Sequence, residues 1–530
     1  MKKTILFLAV IVTLAIAGLY SFISLQPKEK TSEKKPNILF CIADDATWKH
    51  MSAYGNTWVD TPNFDYIAEN GLLFNNAYTP NAKCGPSRSI VLTGRNTWQL
   101  EEAANHLAYF PTKFKTYPEA LAEQGHHVGY TGKGWSPGTA LNEDGSKREL
   151  LVKRYNRIKT TPPTKGIAKV DYSANFKDFL KKRKDDEPFC FWYGGHEPHR
   201  SYEYGTGVSV GKKKLEQIDS VFSYWPDSET IRNDMLDYAF ELEYFDKHLG
   251  EMLDVLRETG ELDNTIIVVT SDNGMPFPRV KGLSYEHANH LPLAVMWKGG
   301  IKKPNRKIND YVSFIDFAAT FMDVSGYNAK EVGMHPMQGE SLVPFFSTSK
   351  ENIKSDDQDY VLLGQERHDV GRPNDVGYPV RGIVKDDFMY LINFEEDRWP
   401  AGNPETGYTN TDGSPTKTEI LEMNRQGKDQ KFWQLNFGKK PHEELYNVVK
   451  DEDCTNNLAQ EEYYQSRKKK MKEILLTELK KQKDPRMFGN GEVFDNYPPD
   501  RNEGFYERYM NGEKVKSGWI NDTDFEKKSD

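Results

Sequence analysis

Cysteine is scarce in this chain, with 4 residues in 530, too few to build a disulfide framework in a protein of this size. Cys41 and Cys190 each sit inside an apolar run, where a thiol acts as a small hydrophobe rather than a reactive group. An excess of positive charge is missing too. The formal net charge of −9 leaves no footprint for nucleic acid, although local basic residues can still reverse the potential inside a pocket. No internal repeat is visible. What is present is a composition of 37% hydrophobic and 12% aromatic residues, which is that of a packed globular protein. The chain is too long for one ordinary core, so two domains are expected.

The N-terminus reads as a targeting element. Lys2 and Lys3 precede an apolar run from Thr4 to Leu25, and Ala15-Ile16-Ala17 supplies a small-residue cleavage pattern. This favours a secretory signal and a periplasmic or secreted protein. Left uncut, the run is long enough to span a bilayer as an anchor, which is the one membrane contact expected. The expected organisation is a signal or anchor over 1–25, a linker over 26–35, a catalytic domain over 36–350 and a smaller domain over 351–530.

Apolar strand-like runs alternate with helical patterns between about residues 36 and 330, the pattern of a mostly parallel sheet covered by helices. Asn37-Ile38-Leu39-Phe40-Cys41-Ile42-Ala43 reads as a strand ending in Asp44-Asp45. Thr265-Ile266-Ile267-Val268-Val269-Thr270 reads as another, ending at Ser271-Asp272-Asn273-Gly274. Between Ser228 and Thr259, the residues Met235, Tyr238, Leu242, Phe245, Leu249, Met252 and Leu256 recur every three or four positions, which predicts one long amphipathic helix. Past residue 350, short strands at Val361-Leu362-Leu363, Val380–Val384 and Phe388–Ile392 precede a polar loop over Pro400–Lys417 and a basic helix over Ser466–Lys481. That is the pattern of an α+β domain.

Asp44, Asp45, Asp272 and Asn273 all follow the C-terminal ends of strands, the edge at which open α/β sheets bind ligands. Together they offer hard oxygen donors suited to Ca²⁺ or Mg²⁺ rather than zinc. Between the two pairs lies Cys84-Gly85-Pro86-Ser87-Arg88, continuing to Leu92-Thr93-Gly94-Arg95. The eight fixed positions of C-x-P-S-R-x-x-x-L-T-G-R match by accident at roughly one chance in twenty each.

This run resembles the motif of the type I sulfatases of the alkaline phosphatase superfamily, in which the cysteine is oxidised to formylglycine. P-N-I-L-F-C-I-A-D-D, H-E-P-H-R, S-D-N-G-M-P-F-P and Glu444-Leu445-Tyr446 extend the likeness from about Pro36 to Ala459. Within the family the chain looks most like the heparan N-sulfatase (sulfamidase) branch. The resemblance implies an alkaline phosphatase-like α/β sheet, one Ca²⁺ and a formylglycine made from Cys84 by a maturating enzyme. It implies Asp44, Asp45, Cys84, Asp272 and Asn273 as metal ligands. Arg88 would hold the formylglycine hydrate, Lys133 and Lys281 would contact the sulfate, and His199 would face the leaving group. One hydroxyl of the hydrate attacks sulfur, and deprotonation of the other expels sulfate.

One position departs from the family pattern. Many members carry K-x-H where this chain has Lys133-Gly134-Trp135, and an indole donates a hydrogen bond but cannot serve as a base. His106 is the substitute considered for resetting the nucleophile. His196, Arg367, His368 and Arg372 are candidates for substrate contact, and Arg381 lies nearby. An arginine can pair bidentately with a uronate carboxylate or a second sulfate, though lone charges are as often surface groups. The expected substrate is a sulfated polysaccharide or its oligosaccharides, ulvan and glycosaminoglycans being equally compatible. The alternatives are a phosphodiester or phosphonate monoester hydrolase on the same scaffold, or a non-catalytic carbohydrate-binding protein should Cys84 stay unconverted.

Overall fold

The computed structural model describes residues 34–184, 186–356, 358–515 and 519–526. The apolar leader lies outside them, and no helix among the described residues is long and apolar enough to cross a membrane. The central sheet is built from β1 (Asn37–Ala43), β2 (Leu72–Phe74), β3 (His127–Gly132), β4 (Phe189–Gly194), β5 (Thr265–Ser271), β6 (Leu293–Met296) and β7 (Arg306–Ile308). Their order is β7-β2-β6-β5-β1-β4-β3, and β6 alone runs antiparallel to its neighbours. β1, β4 and β5 are buried along their whole length, as expected of near-continuous apolar strands covered on both faces.

Helices α1 (Pro62–Glu69), α2 (Cys84–Thr93), α3 (Tyr172–Lys181), α4 (Glu229–Glu258) and α5 (Asp316–Val324) cover the sheet. α4 is the long helix the periodicity predicts. Ser228 caps its first turn by accepting from the Ile231 amide, and the chain turns away at Gly260, where φ is +70°, a conformation glycine adopts without steric cost. The seven residues of its predicted face are all buried.

Register is what assembles the site. β1 and β5 pair in parallel with Ala43 opposite Ser271, so Asp44-Asp45 and Asp272-Asn273 leave the sheet side by side. β4 pairs with β1 with Gly194 opposite Ile42, and β3 pairs with β4 with Gly132 opposite Gly194. A Cβ on Gly132 would lie 1.8 Å from the Gly194 carbonyl oxygen. Only glycine permits that approach, which sets the Lys133 turn against the His196–His199 loop.

A second sheet of four antiparallel strands follows: β8 (Val361–Gln365), β9 (Val380–Lys385), β10 (Phe388–Asn393) and β11 (Glu443–Asn447). One face is covered by the basic helix α7 (Gln465–Lys481), which buries Met471, Leu475 and Leu479 against Tyr390 and Ile392. The Pro400–Lys417 stretch is not a solvated loop. Asn410, Thr411, Asp412 and Lys417 are buried, and its last residues open helix α6 (Pro415–Arg425), capped by Ser414.

Candidate active site

Four strand ends and the first turn of α2 converge on a cavity of about 630 Å³. Cys84 is the first residue of α2 and 1% exposed. Its Sγ lies 3.4 Å from Asp44 Oδ1 and 3.7 Å from Asp45 Oδ1. One turn on, Arg88 is fully buried. Its Nε donates to Asp272 Oδ2 at 2.8 Å, and its Nη1 donates to the Lys133 and Gly134 carbonyls at 3.0 Å each. Arg88 therefore fixes the lysine turn and one carboxylate at once, a role suited to its planar fork of donors.

The carboxylates are crowded. Ligand atoms of Asp44, Asp45, Cys84 and Asp272 lie within 4.8 Å of one another. Asn273 Nδ2 donates to Asp45 Oδ1 at 2.7 Å, while Asn273 Oδ1 is buried with no hydrogen-bond partner among the described residues. Buried polar atoms are nearly always paired, so an orphan acceptor beside three carboxylates marks a place for a cation. An all-oxygen set with one amide carbonyl fits Ca²⁺. Burial raises the Asp272 carboxyl, with Asp44 and Asp45 adding to the rise against the pull of Arg88. For Asp44 burial pushes the same way but is overcome by Lys133, His199 and Arg88, which hold it well below the usual carboxylate range.

Lys133 Nζ donates to both oxygens of Asp44, at 2.7 and 2.6 Å. Lys281 Nζ bridges Asp45 Oδ2 at 2.7 Å and Asp412 Oδ2 at 2.8 Å. His199 Nδ1 lies 2.6 Å from the Arg200 carbonyl oxygen. A carbonyl only accepts, so Nδ1 carries a proton and Nε2, 3.8 Å from Asp45 Oδ2, is the atom turned to the site. Burial and Lys281 hold this ring below its usual pKa, with Asp45 and Asp44 opposing. His196 also lines the cavity, and burial pushes it down to about 4.

His106 lines the cavity as well. Its Nδ1 is 3.2 Å from Asp369 Oδ1 and its buried Nε2 has no partner among the described residues, while Lys83 Nζ holds the other Asp369 oxygen at 2.7 Å. Trp135 does not enter the cavity lining. Its indole N–H donates to the Gly85 carbonyl at 3.1 Å and to Ser89 Oγ at 2.7 Å, so it clamps the flank of α2.

The expected substrate contacts fare differently, and three need correcting as cavity residues. Arg367 donates through Nη1 to the Tyr497 carbonyl. His368 lies against the Gly282 carbonyl and Asn81 Oδ1. Arg372 donates to the carbonyls of Trp399 and Pro400. None of the three lines the cavity, and Arg381 is held by Glu366 and Asp484. Their side chains engage protein groups rather than the cavity. In their place the cavity receives Lys83, Asp369, Asp412, Arg501, Asn502 and Trp519. These come from loops and the C-terminal tail, and no periodicity or strand end marks them. The tail is pinned by the buried Lys417–Asp524 ion pair at 3.2 Å, and the Trp519 ring meets the His199 ring at 5.5 Å between centroids.

The chain is similar to known proteins. The family model described as sulfatase matches residues 36–327, and that described as N-sulphoglucosamine sulphohydrolase, C-terminal, matches 280–397. An ulvan-active sulfatase of Formosa agariphila is 26% identical, over 87% of this chain and 83% of its own. Human N-sulphoglucosamine sulphohydrolase is 25% identical, over 80% of this chain and 86% of its own. Among solved structures, one in complex with its substrate D-glucosamine-2-N,6-O-disulfate superposes with a TM-score of 0.59 at 20% identity, covering 85% of this chain and 99% of that one. That likeness speaks for the fold. The first family match spans more than half of the chain and runs through every strand end that meets at Cys84. The chain belongs to the sulfatase family and is a sulfuric ester hydrolase.

Proposed function

We propose that this enzyme removes sulfate from a sulfated polysaccharide or its oligosaccharides, of the ulvan or glycosaminoglycan class, with Cys84 converted to formylglycine and one Ca²⁺ bound. The observation that carries the reading is the gathering of Asp44, Asp45 and Asp272 about Cys84, with Asn273 bonded to Asp45, where Asp44, Cys84, Lys133, His199 and Lys281 line a cavity. The two relatives named above, one acting on ulvan and one on N-sulphoglucosamine, support the substrate class. The leader supports action in the periplasm or outside the cell, and the conversion of Cys84 calls for a formylglycine-generating enzyme as a partner.

In this proposal Asp44, Asp45, Asp272 and Asn273 hold the calcium ion, with the converted side chain of residue 84 beside them. The bound ion supplies Lewis acidity toward sulfate oxygens and the formylglycine hydrate supplies the nucleophile. The remaining work belongs to side chains already in place. Lys133 and Lys281, each fixed by a carboxylate, present positive charge where negative charge builds on the transferring sulfate. His199 Nε2 donates a proton to the leaving oxygen when the ring is charged, and Nδ1 keeps its orientation through the Arg200 carbonyl. Arg88 keeps the Lys133 turn and Asp272 in register. In this proposal His106, whose Nδ1 is steadied by Asp369, takes the proton-accepting task that Trp135 cannot perform.

The test is to assay the matured enzyme for sulfate and phosphate release on aryl esters and on a panel of sulfated saccharides. Sulfate release well above phosphate release, with at least one saccharide turned over, is the expected result. Predominant phosphate release would point to the phosphodiester or phosphonate alternative, and no release with retained saccharide binding to a non-catalytic protein.

A further inference from the structure

The C-terminal tail lies beyond both family matches, which end at residues 327 and 397. It nevertheless reaches the cavity with Arg501, Asn502 and Trp519. Trp519 is 53% exposed, although an indole is on average a highly buried side chain. Among the described residues lining the cavity it is the one indole, phenyl or phenol ring.

The ring is held in place by its backbone. The Gly413 amide donates to the Trp519 carbonyl, and a Cβ on Gly413 would lie 2.8 Å from both that oxygen and the Asn521 nitrogen. Glycine at 413 therefore lets the tail pack directly against the strand of chain that carries Asp412. Asp412 in turn holds Lys281 at 2.8 Å. Past the ring, Asp524 is fixed by Lys417 at 3.2 Å and Glu526 by Arg425 at 3.0 Å. Trp519 is thus set by the same segment that positions a sulfate-binding lysine.

Its ring meets the His199 imidazole with centroids 5.5 Å apart and planes inclined by 65°. In the reading above, His199 Nε2 faces the leaving atom of the sulfate, and that atom is attached directly to the sugar. A sugar bound for reaction therefore lies next to His199, within reach of the indole. An indole face is apolar and carries negative charge density. It matches the C–H face of a pyranose, which loses water when covered, and it repels a sulfate or a carboxylate.

We propose that Trp519 is a substrate-binding residue whose indole face stacks on the sugar ring that carries the scissile sulfate. The inference rests on the saccharide sulfatase reading and deepens it, because the stacked face of that sugar must be free of further sulfate or carboxylate groups.

The test uses the full chain carrying Cys84→Ala, which binds without turnover. N-sulfoglucosamine, D-glucosamine-2-N,6-O-disulfate and a sulfated ulvan disaccharide are the probes, with inorganic sulfate as control. Calorimetry gives Kd, and tryptophan emission follows the indole. A saccharide that binds should move the parent's emission to shorter wavelength, as the ring leaves water, and inorganic sulfate should not. Trp519→Phe should abolish that shift yet keep Kd within about threefold, since a phenyl ring still stacks. Trp519→Ala should raise Kd for the same saccharide by about fivefold or more. A shift that persists in Trp519→Phe would overturn the inference, as would a rise of less than about fivefold in Trp519→Ala at the parent's melting temperature. Equal weakening of saccharide and inorganic sulfate by Trp519→Ala would also overturn it, because the ring would then act only by holding His199. Each of these leaves the sulfatase reading intact. A parent that binds none of the saccharides would contradict the substrate reading itself.

Discussion

Two groups of buried charge in this protein serve opposite ends. At the C-terminal edge of β1, β3, β4 and β5, charges are paired with each other yet still open onto a cavity, as Lys133 is with Asp44 and Lys281 with Asp45 and Asp412. Around Arg381, charges of equal burial face only protein, as Arg381 is gripped by Glu366 and Asp484. Burial and charge do not separate the two groups. Whether the paired charge still meets solvent-sized space does.

Substitutions should split the groups cleanly. The largest effect belongs to Cys84→Ala, which should lower sulfate release by about 10⁴-fold or more, as removal of a nucleophile does, with the thermal melt retained. Arg381→Ala should leave KM where it is but cost about 3–5 kcal/mol of stability, because Glu366 and Asp484 stay buried without their partner. Denaturant unfolding reads this directly, and a raised KM with unchanged stability would move Arg381 into the first group. Lys281→Ala should reduce kcat by about 10²–10³-fold, the usual loss when one stabilising donor is removed from a transition state, measured on a small aryl sulfate. The smallest effect is expected of Trp135→Phe, which deletes the N–H that reaches Gly85 and Ser89. It should cost about 0.5–1.5 kcal/mol and lower activity modestly through the placement of α2. A larger loss of kcat than of stability would give the indole a direct part in the chemistry.

The same division explains what could be read from the sequence. Asp44-Asp45 and Asp272-Asn273 are legible because strand ends are marked by apolar runs, and a parallel register fixes what lies beyond them. The helix of Met235 to Leu256 is legible by its period. Asp412, Lys83 and Asp369 carry no such mark. Each lies in irregular backbone, and its place depends on contacts between distant segments, as with Lys281 and Asp412. Arg367, His368 and Arg372 look like ligand-binding residues by type, but their side chains are engaged by backbone carbonyls of Tyr497, Gly282, Trp399 and Pro400. Trp519 is the clearest omission. Nothing local distinguishes it, and it reaches His199 because Asp524 is buried against Lys417 a few residues on.

The central claim is that Cys84 is the precursor of the nucleophile rather than a structural thiol. Mass spectrometry of the Cys84 peptide from enzyme matured in its native host, alongside sulfate release by the same preparation, tests it most directly. The account predicts an aldehyde in place of the thiol, with sulfate release rising in proportion to the converted fraction. An unmodified thiol in a preparation that releases sulfate at full rate would contradict it.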